Sequence, residues 1–138
     1  MSEDKGKVRV ILENGNPLLL QRSHAVGVDE ISSDAVQILV KDLTDIMYNA
    51  QGIGISAPQV GELLRVVVFY IPETENLSGV PLTVLINPQI NPIDEERTED
   101  YEGCLSIPGK RGKVSRYNKI RYTGLDQNGQ LVDRVADE

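Results

Sequence analysis

The sequence predicts an α+β domain in which one long amphipathic helix packs against small, mostly antiparallel sheets. Three observations carry that prediction. Apolar residues recur at helical spacing over one stretch only, residues 33–50. The apolar runs that follow are short, rich in β-branched residues, and closed by Pro, Asn or Gly. A length of 138 residues, with 40% hydrophobic and 25% charged residues, suits a single domain with its own core.

Residues 1–7 are polar and are expected to form a mobile tail. A short apolar run at 8–12 leads into Asn14-Gly15-Asn16-Pro17, a turn signal. Residues 18–20 are apolar again, and 26–31 read as an irregular connection. The helix follows. Ser32 or Ser33 can cap it, because a hydroxyl there accepts from an otherwise unpaired first-turn amide. Val36, Leu39, Val40, Leu43, Ile46, Met47 and Ala50 then recur three and four apart and form one apolar face. Asp34, Lys41, Asp42 and Asp45 lie off that stripe, and Gly52 is expected to supply the left-handed stop.

Strand character begins at 65–71, a run closed by Pro72. Residues 73–79 read as a polar loop, and 82–86 as a strand ended by Asn87-Pro88. Residues 89–97 alternate and then turn acidic, whereas 113–125 read as one strand of mixed polarity. Asn128-Gly129 predicts a two-residue hairpin turn, with 131–135 as the returning strand.

Composition narrows the function classes. The chain carries 21 acidic and 14 basic residues, a formal charge of -7. An acidic surface repels phosphate backbones, so nucleic acid is not an expected partner. Lys110, Arg111, Lys113, Arg116, Lys119 and Arg121 form a basic stretch. It reads as a solvated strand and loop or as a local site for an anionic group. No apolar run approaches the roughly 20 residues that span a bilayer, so no membrane is expected. One cysteine, Cys104, permits no internal disulfide, and a cytoplasmic location is expected.

Two segments carry chemistry. In Gly52-Ile53-Gly54-Ile55-Ser56-Ala57-Pro58-Gln59 small residues alternate with Ile directly after the helix. Gly52 and Gly54 would let another backbone or a ligand come close. A plain glycine-rich turn reads as well, and no Gly-Lys-Ser/Thr ending supports a phosphate loop. Glu102-Gly103-Cys104-Leu105-Ser106 holds the only cysteine. Its thiolate would suit iron or zinc, and a neighbouring amide could donate to an oxyanion. A buried inert cysteine is the alternative.

Taken together, GIGISAPQ at 52–59 and EGCLS at 102–106 resemble the first two signature motifs of peptide deformylases. Ser56 stands where that family usually has alanine, and the resemblance covers essentially the whole chain. It implies hydrolytic removal of the N-formyl group from the N-terminal methionine of new polypeptides. It also implies a divalent metal, iron(II) first, with zinc, nickel or cobalt as alternatives. By resemblance Cys104 is the sulfur ligand, and Gln59 with the Leu105 amide stabilises the oxyanion. Ile53 and Gly54 line the peptide groove, and Arg111 lies near the bound peptide. Gly52, Glu102 and Gly103 support the site. The implied partners are N-formylmethionyl peptides.

The family's third motif, His-Glu-any-any-His, does not occur in these 138 residues. The chain is therefore expected to be a C-terminally truncated domain, 1–138, without two histidine ligands and the glutamate base. It would bind metal weakly or not at all, and catalyse poorly alone. The single histidine, His24, is expected at the surface. Glu102 is not expected to substitute as the base, because the resemblance makes it a structural neighbour of the site. An apolar surface left across the sheets and against the 33–50 helix would then invite a homodimer or a covering partner. Two alternatives to the enzyme remain: a non-catalytic relative that keeps the peptide groove, and an assembly module that uses the exposed sheet.

Overall fold

The computed structural model describes residues 9–76 and 78–137; the polar segment 1–7, expected as a tail, lies outside the described residues. One α-helix, α1 (Asp34–Asn49), is followed by seven strands: β1 (Gly54–Ser56), β2 (Val66–Ile71), β3 (Val80–Pro92), β4 (Arg97–Cys104), β5 (Ile107–Tyr117), β6 (Ile120–Leu125) and β7 (Leu131–Ala136). Five strands form one sheet in the order β1-β2-β3-β6-β7, and β4 pairs with β5 as a separate two-stranded sheet. All these pairings are antiparallel. The α+β expectation describes this architecture.

Helix α1 starts where its sequence says it should. The Ser33 hydroxyl accepts from the Val36 amide at 3.3 Å, the capping bond anticipated for it. The stop differs. Gln51, not Gly52, takes the left-handed conformation, with φ 60°. The Gly52 N–H bonds back to the Met47 carbonyl and the Gln51 N–H to Tyr48, which closes the last turn. Gly52 is thereby released for a different task, described below.

The predicted stripe is the buried face: Val36, Leu39, Val40, Leu43 and Met47 are buried, and Ile46 packs against them. They meet Ile55, Val66, Val68, Val84 and Ile86, which share one sheet face because Ile55 pairs with Val68, Val68 with Val84, and Val66 with Ile86. The opposite face of the sheet is thinner. There Phe69 meets Tyr122 edge to face at 5.8 Å, and Leu85 is buried against Gly124.

Three strand boundaries depart from expectation. Asn87-Pro88 does not end β3; the strand continues to Pro92 through a bulge between Ile86 and Gln89. Asn87 tolerates the positive φ of 57° there, and its carboxamide accepts from the Val26 N–H and donates to the Val26 carbonyl. Residues 113–125 are not one strand but the end of β5 and all of β6, bent apart at Asn118-Lys119. The turn before β7 is a three-residue loop, since the Asp126 N–H reaches Gln130 and only Gly129 has positive φ. The short segments 17–20 and 28–30 are 3-10 turns, Pro17–Leu20 and Val28–Glu30.

The chain's own sheet covers the buried stripe of α1, whereas Tyr48 on the helix and Ile53 just after it are exposed. The exposed apolar side chains near the strands collect elsewhere. Ile90 and Tyr117 are exposed and line a cleft of about 770 Å³ between the β4–β5 hairpin and β6–β7, alongside Arg97, Glu102 and Arg116. Among the described residues no helix is long and apolar enough to cross a membrane.

Candidate functional site

The first glycines of the two motifs, Gly52 and Gly103, are 51 positions apart, yet the fold brings the motifs together. The first motif runs from the end of α1 through β1 into a 3-10 turn, Ala57–Val60, that presents Gln59. The second occupies the last turns of β4 and the tip of its hairpin, with Leu105 and Ser106 between the Cys104–Ile107 pair. Gly52 is the contact between them. A β-carbon there would lie 2.8 Å from Leu105 Cδ1, so only glycine lets the Leu105 side chain seat over the helix end. Close approach was expected at Gly54 as well. Nothing in this chain requires it there, the nearest atoms being an ordinary 3.7 Å away.

Gln59 is held from several sides. Its carbonyl accepts the Leu12 N–H at 2.7 Å. Its side-chain Oε1 accepts from the Ser56 backbone N–H at 2.9 Å and from the Ser56 hydroxyl at 3.2 Å. Its Nε2 donates to Ser106 Oγ at 3.1 Å and faces Cys104 Sγ at 3.7 Å. Ser106 is only 4% exposed, and its carbonyl accepts the Asn14 N–H. Cys104 is an exposed free thiol rather than a buried hydrophobe. Among the described residues, no acceptor takes the Leu105 N–H, which leaves that donor available. These side chains border a cavity of about 440 Å³ lined also by Asn14, Leu19, Gln21, Pro58 and Ile107.

Beside the cavity runs the free edge of the larger sheet, since β1 is its terminal strand. The Ile53 carbonyl accepts from Tyr70, and Gly54 pairs with Phe69. In an antiparallel ladder the groups alternate, so the Gly54 N–H and C=O point away from β2 toward open solvent. Ile53 is exposed next to it.

The remaining predicted residues lie on the hairpin. Gly103 pairs with Arg111 across it, and the Arg111 guanidinium donates to the Tyr101 carbonyl at 3.2 Å. Glu102 receives a two-pronged bond from Arg116, at 2.9 and 3.1 Å. That hydrogen bond holds its carboxyl below the usual carboxylate range, which disfavours it as a base. Much of the basic stretch is similarly engaged, Lys113 with Glu99 and Arg121 with Asp133. The solvated-strand reading describes those residues. His24 is exposed, does not line the cavity, and serves the fold through backbone bonds to Leu63 and Arg65.

Among the described residues no three His, Cys, Asp or Glu side chains converge to hold a metal ion. Cys104 offers one ligand where a stable zinc- or iron-type site needs three or more. The residues present do not by themselves fit a metal.

Sequence reasoning overlooked two contributors. Ser106 was read only as part of a motif, although it is the buried hydroxyl that joins Gln59 to the hairpin. Arg9 lay inside an apolar run, yet its guanidinium bridges Asp42 of α1 and Glu62 beyond the Gln59 turn, both at 2.9 Å. A charged residue within an apolar stretch was the available signal for Arg9.

Comparison with known proteins gives a consistent result. Residues 8–138 match the family described as Polypeptide deformylase. The chain is 42% identical over 132 residues to Peptide deformylase 1 of Nitrosomonas europaea, covering 94% of this chain and 74% of that protein. It superposes on a Met-Ala-Ser-bound class I type b peptide deformylase from Acinetobacter baumannii with a TM-score of 0.85 at 27% identity, covering 96% of this chain and 85% of that one. A peptide deformylase from Ehrlichia chaffeensis gives 0.84 at 32% identity, covering 95% and 75%.

Proposed function

The chain belongs to the polypeptide deformylase family, and on that premise we propose that it forms the peptide-binding and oxyanion-stabilising part of a deformylase site. The observation that carries the reading is the convergence of the Gln59 carboxamide and the Cys104 thiol on one cavity beside the open edge of β1, with the available Leu105 N–H next in the chain to Cys104.

The roles follow from the geometry. An extended peptide adds to β1 as a further strand, bonded to the outward Gly54 N–H and C=O, with Ile53 against its side chains. Its N-terminal formyl group then enters the cavity. Gln59 Nε2 and the Leu105 N–H donate to the formyl oxygen as negative charge develops there, and each well-placed donor is worth about 3 kcal/mol of transition-state stabilisation. Arg111 stands near the peptide's path on the hairpin. Formyl-Met-Ala-Ser is a suitable probe, because the structure of a relative holds Met-Ala-Ser.

A divalent metal, iron(II) first, would take Cys104 as its sulfur ligand and would supply an activated water when bound. The described residues offer that one donor alone. A second reading, a peptide-binding relative without catalysis, is favoured by that same single donor. The exposed Ile90 and Tyr117 in the cleft between the sheets support association with a second copy or a covering partner. A strictly monomeric chain in sedimentation at all concentrations would remove that proposal.

Metal stoichiometry of the purified chain, prepared without oxygen, separates the readings. About one tightly held iron per chain would mean that ligands beyond Cys104 reach the site, and the hydrolase reading leads. No retained metal, with formyl-Met-Ala-Ser still bound, would leave the peptide-binding relative. Neither metal nor peptide bound would sink both.

A further inference from the structure

Ser56 departs from the alanine that peptide deformylases usually carry at this position, and its hydroxyl is not idle. We propose that Ser56 is a positioning residue that locks the Gln59 carboxamide with its NH2 group toward Cys104 and the cavity. The inference rests on the deformylase reading for its purpose, but its geometry stands independently.

A carboxamide has nearly the same shape when flipped by 180°, so its partners alone decide which end faces a site. The last torsion of a glutamine side chain is also broad, which leaves the amide plane poorly defined without anchors. Here the Ser56 backbone N–H is a fixed donor and requires an oxygen opposite it. One bond fixes the position of Oε1 but permits the plane to rock about it. The Ser56 hydroxyl adds a second donor to the same oxygen, at 3.2 Å. On the other end, Nε2 has the buried Ser106 hydroxyl at 3.1 Å and the softer Cys104 sulfur at 3.7 Å. Two donors on the oxygen and two acceptors at the nitrogen define both the orientation and the plane. Alanine at 56 would keep the backbone bond and lose the second anchor.

The side-chain amide of Gln59 reports this directly in a 15N-labelled full chain. Its paired NH2 signals are assigned by their disappearance in Gln59→Glu. In the wild type the amide is expected to be as rigid as ordered backbone, with an order parameter of about 0.85. In Ser56→Ala it should fall below about 0.6, and Ser56→Thr, which restores a hydroxyl, should recover most of the loss. Backbone amides of Val66 and Val68 serve as the check that the fold is intact. An unchanged Gln59 amide in folded Ser56→Ala would overturn the proposal, as would a loss that Ser56→Thr fails to recover. Titration with formyl-Met-Ala-Ser, followed at the Gly54 amide, tests the underlying reading separately. A Ser56-dependent Gln59 amide with no response to the peptide would leave the positioning role standing and sink the peptide site.

Discussion

The two halves of the site come from parts of the molecule built on different principles. Gln59 belongs to the body, where α1 and the five-stranded sheet share one core and Leu43, Met47 and Ile86 are wholly buried. Cys104 belongs to the β4–β5 hairpin, in which no strand residue is buried and the strands are held chiefly by each other. Burial of apolar area stabilises the body, whereas the hairpin relies on cross-strand hydrogen bonds and exposed ion pairs of small net worth. What fastens the second to the first is its tip: Leu105 over Gly52, Ser106 to Gln59, and Ser106 to Asn14. A site assembled this way is as well ordered as that contact.

The largest expected effect tests the body. Leu43→Ala empties a fully buried position and should cost about 2–5 kcal/mol, read as a lower denaturation midpoint of the whole chain. A loss below about 1 kcal/mol would mean that α1 contributes less to the core than its burial indicates. Gly52→Ala comes next. Its methyl group must displace Leu105, at a cost of about 1–3 kcal/mol, and hydrogen exchange at the hairpin tip should accelerate more than in β2. Equal acceleration in both regions would break the distinction drawn between them.

The smallest effect concerns the hairpin alone. Glu102 is ionised below its ordinary range because Arg116 bonds to its carboxylate. A depressed folded value contributes stability that is present above the unfolded value and is lost as pH falls through the folded one. Both partners are more than a third exposed, so solvent screening limits the contribution to about 0.5 kcal/mol. Glu102→Gln should therefore raise hairpin exchange slightly near neutral pH and erase the difference from wild type in acid. A gap that persists well below the carboxylate range would point to a role other than charge.

The legible and illegible features divide by their range along the chain. Helix α1, its Ser33 cap and its buried stripe were readable because they depend on neighbours within one or two turns. The cores of β2, β3, β6 and β7 were readable for the same reason, while β1, β4 and most of β5 carried no strand reading and the strand ends were misplaced. Asn87-Pro88 looks like a stop in sequence, but Asn87 is held in mid-strand by Val26, 61 residues away. Gly52 looked like a helix stop, and the stop is Gln51 because Gly52 is claimed by Leu105. Of the site, Gln59 and Cys104 could be named only through the resemblance of their two motifs to a known family. The Ser56–Gln59–Ser106 network could not, since its links across the motifs span 45 and 47 positions.

Sequence by itself thus determined the class of fold, the helix and its core face, and the residue types available for chemistry. Periodicity, capping and turn propensity are local properties, and local order survives without knowledge of the rest. Only the tertiary structure decided where α1 stops, how β3 passes its bulge, and what Arg9 bridges. It also decided which end of the Gln59 carboxamide meets the thiol. Each of those depends on a partner brought close by the packing of the sheet, and an amide or a glycine has no preferred role until that partner arrives.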